Sequence, residues 1–426
     1  MLRFRLSKER RAARRRGAAP GWLMGAFMAA AGVLLPVDSS WSKPHRSAPA
    51  KAAAPVAALE KLSAEAMLIE VYIALSGDHL RDALARSETL VRTYPSFRLG
   101  QLLYGDLLLM QTHAVRTLGP ANAPAEALKN LRDEAAVRLR SLRNRPDPDM
   151  VPRAVLQLRD DQKHVLIVDA KHSRLYVYEN RAGTLRFQTD FYISQGKLGT
   201  NKTAAGDQKT PIGVYYITGQ VSGPRLPEFY GAGALPINYP NDWDRLHGRS
   251  GSGIWLHGTP PDTYSRPPLA SDGCVVLSNA DLGRLMGSVE IGKTPVVIAD
   301  SIEFVNKTKA VSDRTLAAKL VDDWRRDVES LDPKRYLANY SRHFKSEAGQ
   351  DRESWFAQQW AAYNGVTLAS VKLREVTLFL YPGRDDLMVG TFTQDAQLGK
   401  LRNSTRKRQY WAREGAQWKI VSESVL

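Results

Sequence analysis

The sequence predicts a multidomain chain: an all-α N-terminal region, a central mainly-β domain and a C-terminal α+β domain. Three observations predict it. Apolar residues recur at helical spacing from Leu62 to Leu108. From His164 to Ile298 the pattern becomes short alternating apolar runs bounded by Gly, Pro, Asn and Asp. After Asn306, two amphipathic segments of helical period precede a series of alternating strands that ends near Val421. A chain of 426 residues has material for two or three domains, each with its own core.

The elements follow in order. Met1–Arg16 carries eight Arg and Lys residues against Glu9, and Gly17–Val37 carries no charge. A basic start, a short apolar core from Trp22 to Leu35 and small residues near Val37–Ser42 read as a secretory signal over residues 1–42. The alternative is an uncleaved membrane anchor, although the apolar core is short for a span of ~20 residues. Either way, the remainder is expected outside the cytoplasm. Residues 43–58, rich in Ala, Pro, Lys and Ser, read as a linker. Residues 59–152 are expected to form a helical domain. Leu62, Ala66, Ile69, Ile73 and Leu75 make one stripe, Leu80, Leu84, Ser87, Leu90 and Val91 a second, and Phe97, Leu99, Leu102, Leu103, Leu107 and Leu108 a third. A Gly-Asp turn between the first two helices and Tyr94-Pro95 after the second resemble a tetratricopeptide hairpin; a plain bundle is the alternative. Pro146, Pro148 and Pro152 mark a boundary.

The central strands include His164–Asp169, Arg174–Tyr178 and Phe187–Ile193. Their alternation and Gly-rich turns predict an antiparallel sandwich or partly closed barrel. This segment contains Cys274, the one cysteine in the sequence. With no internal disulfide available, it is a buried filler, an intermolecular bridge or a reactive thiol. Its setting, Ser271-Asp272-Gly273-Cys274 before the apolar run Val275-Val276-Leu277, favours the thiol, and a lone cysteine in an oxidising compartment adds to that. Thiolate is the nucleophile, so a base is needed. Seventeen residues upstream, His257 in Leu256-His257-Gly258 can supply it if the intervening loop closes. Four prolines, Pro260, Pro261, Pro267 and Pro268, stiffen that loop. Backbone N–H groups near Gly273 can hold an oxyanion. His247 is ten residues before His257; too few other ligands stand near it for zinc, so it reads as a surface or substrate-wall residue.

Leu256-His257-Gly258, then Ser271-x-Gly273-Cys274 and Asn279, with Thr210-Pro211-Ile212-Gly213-Val214-Tyr215 upstream, resembles the signature of the L,D-transpeptidase catalytic domain over residues 163–300. The resemblance implies that Cys274 attacks a stem-peptide carbonyl of peptidoglycan. His257 would accept and return the proton, and the Gly273 backbone would hold the oxyanion. It implies that Gly258, Ser271, Asp272, Asn279, His247, Thr210 and Pro211 shape the site, with no cofactor or metal. It also implies a periplasmic location, carbapenem inhibitors, and an amine acceptor that gives a 3-3 cross-link or an attached protein. Water as acceptor would give an L,D-carboxypeptidase or an amidase that releases a wall-attached lipoprotein. A non-catalytic wall-binding scaffold is the remaining alternative. The family usually carries histidine or another basic residue where this chain has Asp272. Asp272 is expected to cap its turn by bonding backbone N–H groups.

Residues 312–426 follow helices with a curved sheet that ends in Trp418-Lys419-Ile420, which resembles a nuclear-transport-factor-like α+β cone. Leu316, Leu320, Val321, Trp324 and Val328 define one helix; Tyr336, Leu337, Tyr340 and Phe344 predict a second. No paired carboxylate and histidine are placed there for chemistry, so a binding or dimerisation module is expected. The formal charge of +16 and pI near 9.8 suit an anionic polymer or lipid surface. Secretion and the lack of a recognition motif argue against nucleic acid.

Overall fold

The computed structural model describes residues 63–115, 117–120, 123–363, 365–367 and 369–426. The leader expected over residues 1–42 and the linker over 43–58 lie outside the described residues. No helix among the described residues is long and apolar enough to cross a membrane.

Among the described residues, four helices come first: Ala64–Ser76, Leu80–Thr93, Arg98–Leu109 and Ala125–Arg143. Ser63 caps the first, accepting the Ala66 N–H at 3.1 Å, and Gly77 closes it by donating to Ala74 and Ile73 carbonyls. The first stripe differs from the expected one. Ala64, Leu68, Val71 and Ala74 are buried, whereas Ile73 is 61% exposed. This helix is apolar nearly all round, so its sequence does not set its phase; the face that meets Leu90, Phe97, Leu99 and Leu103 does.

The central domain is a two-layer β sandwich. One sheet runs in the order Thr184–Tyr192, Arg174–Arg181, His164–Asp169, Pro295–Ala299, Gly213–Tyr216. The other runs Val275–Val276, Trp255–His257, Gly233–Pro236, Val221–Ser222. Leu166, Val168, Leu175 and Val177 of the first layer pack on Leu235, Leu256 and Val275 of the second, all essentially buried. The expectation of an antiparallel domain is corrected by three parallel pairs, His164–Asp169 with Pro295–Ala299, Trp255–His257 with Val275–Val276 and Gln195–Gly196 with Leu269–Ser271. Apolar alternation reports the buried face but carries no signal for strand direction.

In the C-terminal domain, helix Lys307–Glu329 buries Val321, Trp324 and Val328 against a six-stranded sheet. The sheet order is Tyr340–Ser346, Gln417–Val425, Leu401–Glu414, Leu387–Leu398, Ala369–Leu380, Val155–Gln157. The expected second helix is shorter than its apolar spacing implied. It ends at Ala338, and Tyr340 and Phe344 lie on a strand. Positions four apart share a face in a strand as well as in a helix, so that pair of aromatics fits both. The edge strand Val155–Gln157 precedes the catalytic domain in sequence yet pairs with Leu378 and Phe379.

Candidate active site

His257 ends the strand Trp255–His257 and is 1% exposed. Its neighbour is parallel, pairing Leu256 with Val275 and His257 with Val276, and the Leu277 N–H donates to the His257 carbonyl at 2.9 Å. Leu256 and Val275 point into the sandwich core. Alternation therefore sends His257 and Cys274 to the opposite face, two residues apart in register on adjacent chains. The imidazole Nδ1 lies 2.7 Å from the Gly258 carbonyl. A carbonyl only accepts, so Nδ1 carries the hydrogen and Nε2 is left as an acceptor. Burial lowers the His257 pKa to about 4; the Gly258 carbonyl opposes this and the Arg266 cation adds to it. At neutral pH, His257 is a neutral base.

The turn before Cys274 is held from inside. Ser271 Oγ donates to the Cys274 carbonyl at 2.6 Å and accepts the Gly273 N–H at 3.1 Å. Thr210 Oγ1 donates to the Gly273 carbonyl at 3.0 Å and accepts the Gly196 N–H at 3.0 Å, so the threonine-proline motif fixes the turn. Gly273 has φ +124°, and a Cβ there would stand 2.7 Å from the Lys209 carbonyl. The thiol donates to the Gly253 carbonyl at 3.4 Å. Burial raises its pKa; the Trp255 N–H, Arg266 and Lys202 pull it down and Asp272 pushes it further up. The resting pair is thus neutral thiol beside neutral imidazole.

Two expectations change. The Gly273 N–H is already bonded to Ser271 Oγ in this conformation. Asp272 does not cap the turn: its exposed carboxylate accepts from Lys197 Nζ at 2.9 Å and Gln208 Nε2 at 3.1 Å. The shorter Ser271 side chain reaches the turn's N–H from within, which leaves the carboxylate facing outward.

Asn279 fastens the segment after His257. Its Oδ1 accepts from Ala232 N at 2.8 Å and Thr259 N at 3.2 Å, and its Nδ2 donates to the Thr259 carbonyl at 2.7 Å. Gly258 leaves room for it, since a Cβ there would meet Asn279 Oδ1 at 2.1 Å. Pro211 is buried beside Thr210, and the next carbonyl, that of Ile212, accepts from Tyr381 of the C-terminal domain at 2.9 Å. His247 is placed elsewhere. Its ring packs against Trp243 at 4.1 Å, tilted by 43°, and Trp243 stacks on Tyr410 of the C-terminal sheet at 4.7 Å. The Gly231–Asn241 segment supplies a sheet strand, and Asn238 Oδ1 accepts the Tyr216 N–H at 2.7 Å.

Residues 163–298 match the family model of the L,D-transpeptidase catalytic domain, and residues 316–424 match that of the Cds6 C-terminal NTF2-like domain. The central domain is an L,D-transpeptidase catalytic domain. Among solved structures, Bd1075 from Bdellovibrio bacteriovorus is 28% identical with a TM-score of 0.58, covering 65% of this chain and 98% of that one. Pgp2, the helical cell shape determining protein of Campylobacter jejuni, is 23% identical with a TM-score of 0.55, covering 64% of this chain and 95% of that one. No curated protein matches.

In this L,D-transpeptidase-type domain, sequence reasoning passed over the neighbours of the pair. Phe229 and Tyr230 flank the His257 ring at 5.8 and 5.0 Å. Arg266, the single basic residue of the Thr259–Ala270 loop, lies over the Phe229 ring at 4.2 Å. That isolated charge among prolines was the available signal. The helical region grips the same loop. Tyr264 packs on Phe97 at 4.8 Å and Tyr94 at 5.3 Å, Ser265 Oγ donates to buried Glu134 at 2.7 Å, and Tyr192 donates to the Arg266 carbonyl at 2.8 Å.

Proposed function

We propose that the protein is a periplasmic peptidoglycan L,D-transpeptidase in which Cys274 is the nucleophile and His257 the proton carrier. The observation that carries this reading is the parallel strand pair, within a domain of the L,D-transpeptidase family, that aims a neutral imidazole and a thiol to one face. As Sγ attacks the carbonyl of the residue before the terminal D-alanine of a tetrapeptide stem, its proton passes to His257 Nε2. With the Gly273 N–H engaged by Ser271, the Cys274 N–H is the donor assigned to the oxyanion. The tetrahedral adduct collapses, the C–N bond breaks, and the imidazolium proton goes to the departing amine. A thioester remains. An acceptor amine then attacks it, loses a proton through His257 to the leaving thiolate, and forms the new amide.

Neutral resting partners mean that proton transfer accompanies attack rather than preceding it. Pgp2, which shares this fold, is a helical cell shape determining protein, and a role in cell shape is proposed here beside the wall chemistry. If water replaces the amine, the same thioester gives the carboxypeptidase or lipoprotein-releasing reaction. Incubation with disaccharide tetrapeptide, followed by mass spectrometry, tests the proposal. Cross-linked dimer with released alanine is expected, trimmed monomer marks the hydrolytic form, and unchanged substrate contradicts both. Cys274→Ala and His257→Ala should each abolish product, without additivity in the double variant.

A further inference from the structure

We propose that Arg266 is the specificity residue of this site, binding the C-terminal carboxylate of the donor stem. The inference rests on the transpeptidase reading above and concerns how that site selects the bond it cleaves. Arg266 sits on the loop between the two reacting residues. Its guanidinium lies on one side of Phe229 at 4.2 Å, and the His257 ring neighbours the same Phe229 at 5.8 Å. Its one hydrogen bond among the described residues is a long 3.4 Å contact from Nη2 to the Phe229 carbonyl. No carboxylate among the described residues forms an ion pair with it, Asp272 acting on it only at longer range while bonded to Lys197, although most of the other partly buried arginines here are paired, including Arg153, Arg249, Arg325 and Arg408. A guanidinium held half out of water, with most of its planar donors unused, is built to take a planar anion in two-point fashion.

The loop is not free to swing that charge away. Tyr264 is wedged between Tyr94 and Phe97, Ser265 is tied to Glu134, and the Arg266 carbonyl accepts from Tyr192. Prolines 267 and 268 follow directly. The helical region and Tyr192 of the first sheet together fix Arg266 relative to His257 and the turn that carries Cys274.

The chemistry of the donor supplies the matching group. In a stem cleaved before its last residue, the leaving amino acid bears the free α-carboxylate, one residue past the attacked carbonyl. A fixed cation near the thiol can hold that carboxylate and so select the terminal bond. An internal bond has an amide at that position. Binding also removes a repulsion: in the free site the Arg266 cation lowers the basicity of His257, and a bound carboxylate offsets that charge as the imidazole takes up its proton. The acid limb of kcat should therefore lie above that of kcat/KM for wild-type protein, and the gap should shrink in Arg266 variants.

The test compares disaccharide tetrapeptide with a free terminal carboxylate and its C-terminal amide, using full-length wild type, Arg266→Lys and Arg266→Met. Release of alanine or alaninamide is followed. Loss of a charge-assisted hydrogen bond predicts that wild type prefers the acid by about ten- to a hundredfold in kcat/KM. Arg266→Met should process the two substrates equally and Arg266→Lys should fall between. Melting temperatures near wild type confirm that the variants fold, and the lysine variant keeps an aliphatic stem over Phe229 should the methionine variant fail. Wild type that converts both substrates equally, or an Arg266→Met protein that keeps the preference, overturns the inference and leaves the transpeptidase reading intact. Wild type that converts neither substrate overturns both.

Discussion

The most informative perturbation is pH, because the two reacting groups are displaced in opposite directions. Burial holds His257 at about 4 and raises the Cys274 thiol. The base is active when neutral, so the acid limb of kcat/KM should fall near pH 4. At pH 5.5, a group of pKa near 4 is about 97% neutral, whereas an ordinary histidine of pKa near 6.5 is about 9% neutral, a tenfold difference in rate. The alkaline side should stay flat through neutrality, since the thiol titrates above its usual range. The assay is alanine release from disaccharide tetrapeptide at constant ionic strength between pH 3.5 and 10. A bell centred near neutrality, with an acid limb at 6 or above, would refute the neutral-pair account and indicate a preformed thiolate–imidazolium pair. Stability carries the same sign. The unfolded chain protonates His257 first as pH falls below about 6.5, so stability is lost between there and pH 4, by about 3 kcal/mol for the full shift.

Three further outcomes follow from the geometry. Asp272 raises the thiol pKa but is not among the charges acting on His257, so Asp272→Asn should move the alkaline limb to lower pH and leave the acid limb in place; the pH–rate profile of the variant checks it. Asn279→Ala removes two accepted N–H bonds and one donated bond from a partly buried site, and should cost about 2–3 kcal/mol in denaturant unfolding, with Gly258 and Thr259 loosened around the base. A carbapenem should acylate Cys274 and raise the intact mass by one inhibitor, with no such increase in Cys274→Ala.

Much of the site was legible because its residues are unusual in kind. The single cysteine stands out in any reading of the chain; His257-Gly258 and Thr210-Pro211 are marked by their spacing from it, since both dipeptides recur elsewhere, and the sandwich brings Thr210 onto Gly273 and the strand that follows Cys274 beside His257. Direction and phase were less legible. The parallel pairing of Trp255–His257 with Val275–Val276 leaves no mark in a two- or three-residue strand. The first helix could not declare its buried face, and Tyr340 and Phe344 fit either period. Asp272 was read from its own turn, but its partners Lys197 and Gln208 are 75 and 64 residues away in sequence. Arg266 escaped for a related reason. Its meaning lies in what it lacks, a carboxylate partner, and in its neighbour Phe229, which arrives from another loop.

The central claim is that Cys274 carries the stem peptide as a thioester. Rapid acid quenching of wild-type protein mixed with disaccharide tetrapeptide, followed by intact-mass and peptide analysis, tests it directly. The account predicts a transient adduct on Cys274 with the mass of the donor less alanine, discharged by added amine acceptor and missing from Cys274→Ala. Turnover of the donor with Cys274 unmodified at every quench time, or an equal adduct on the Cys274→Ala protein, would contradict it.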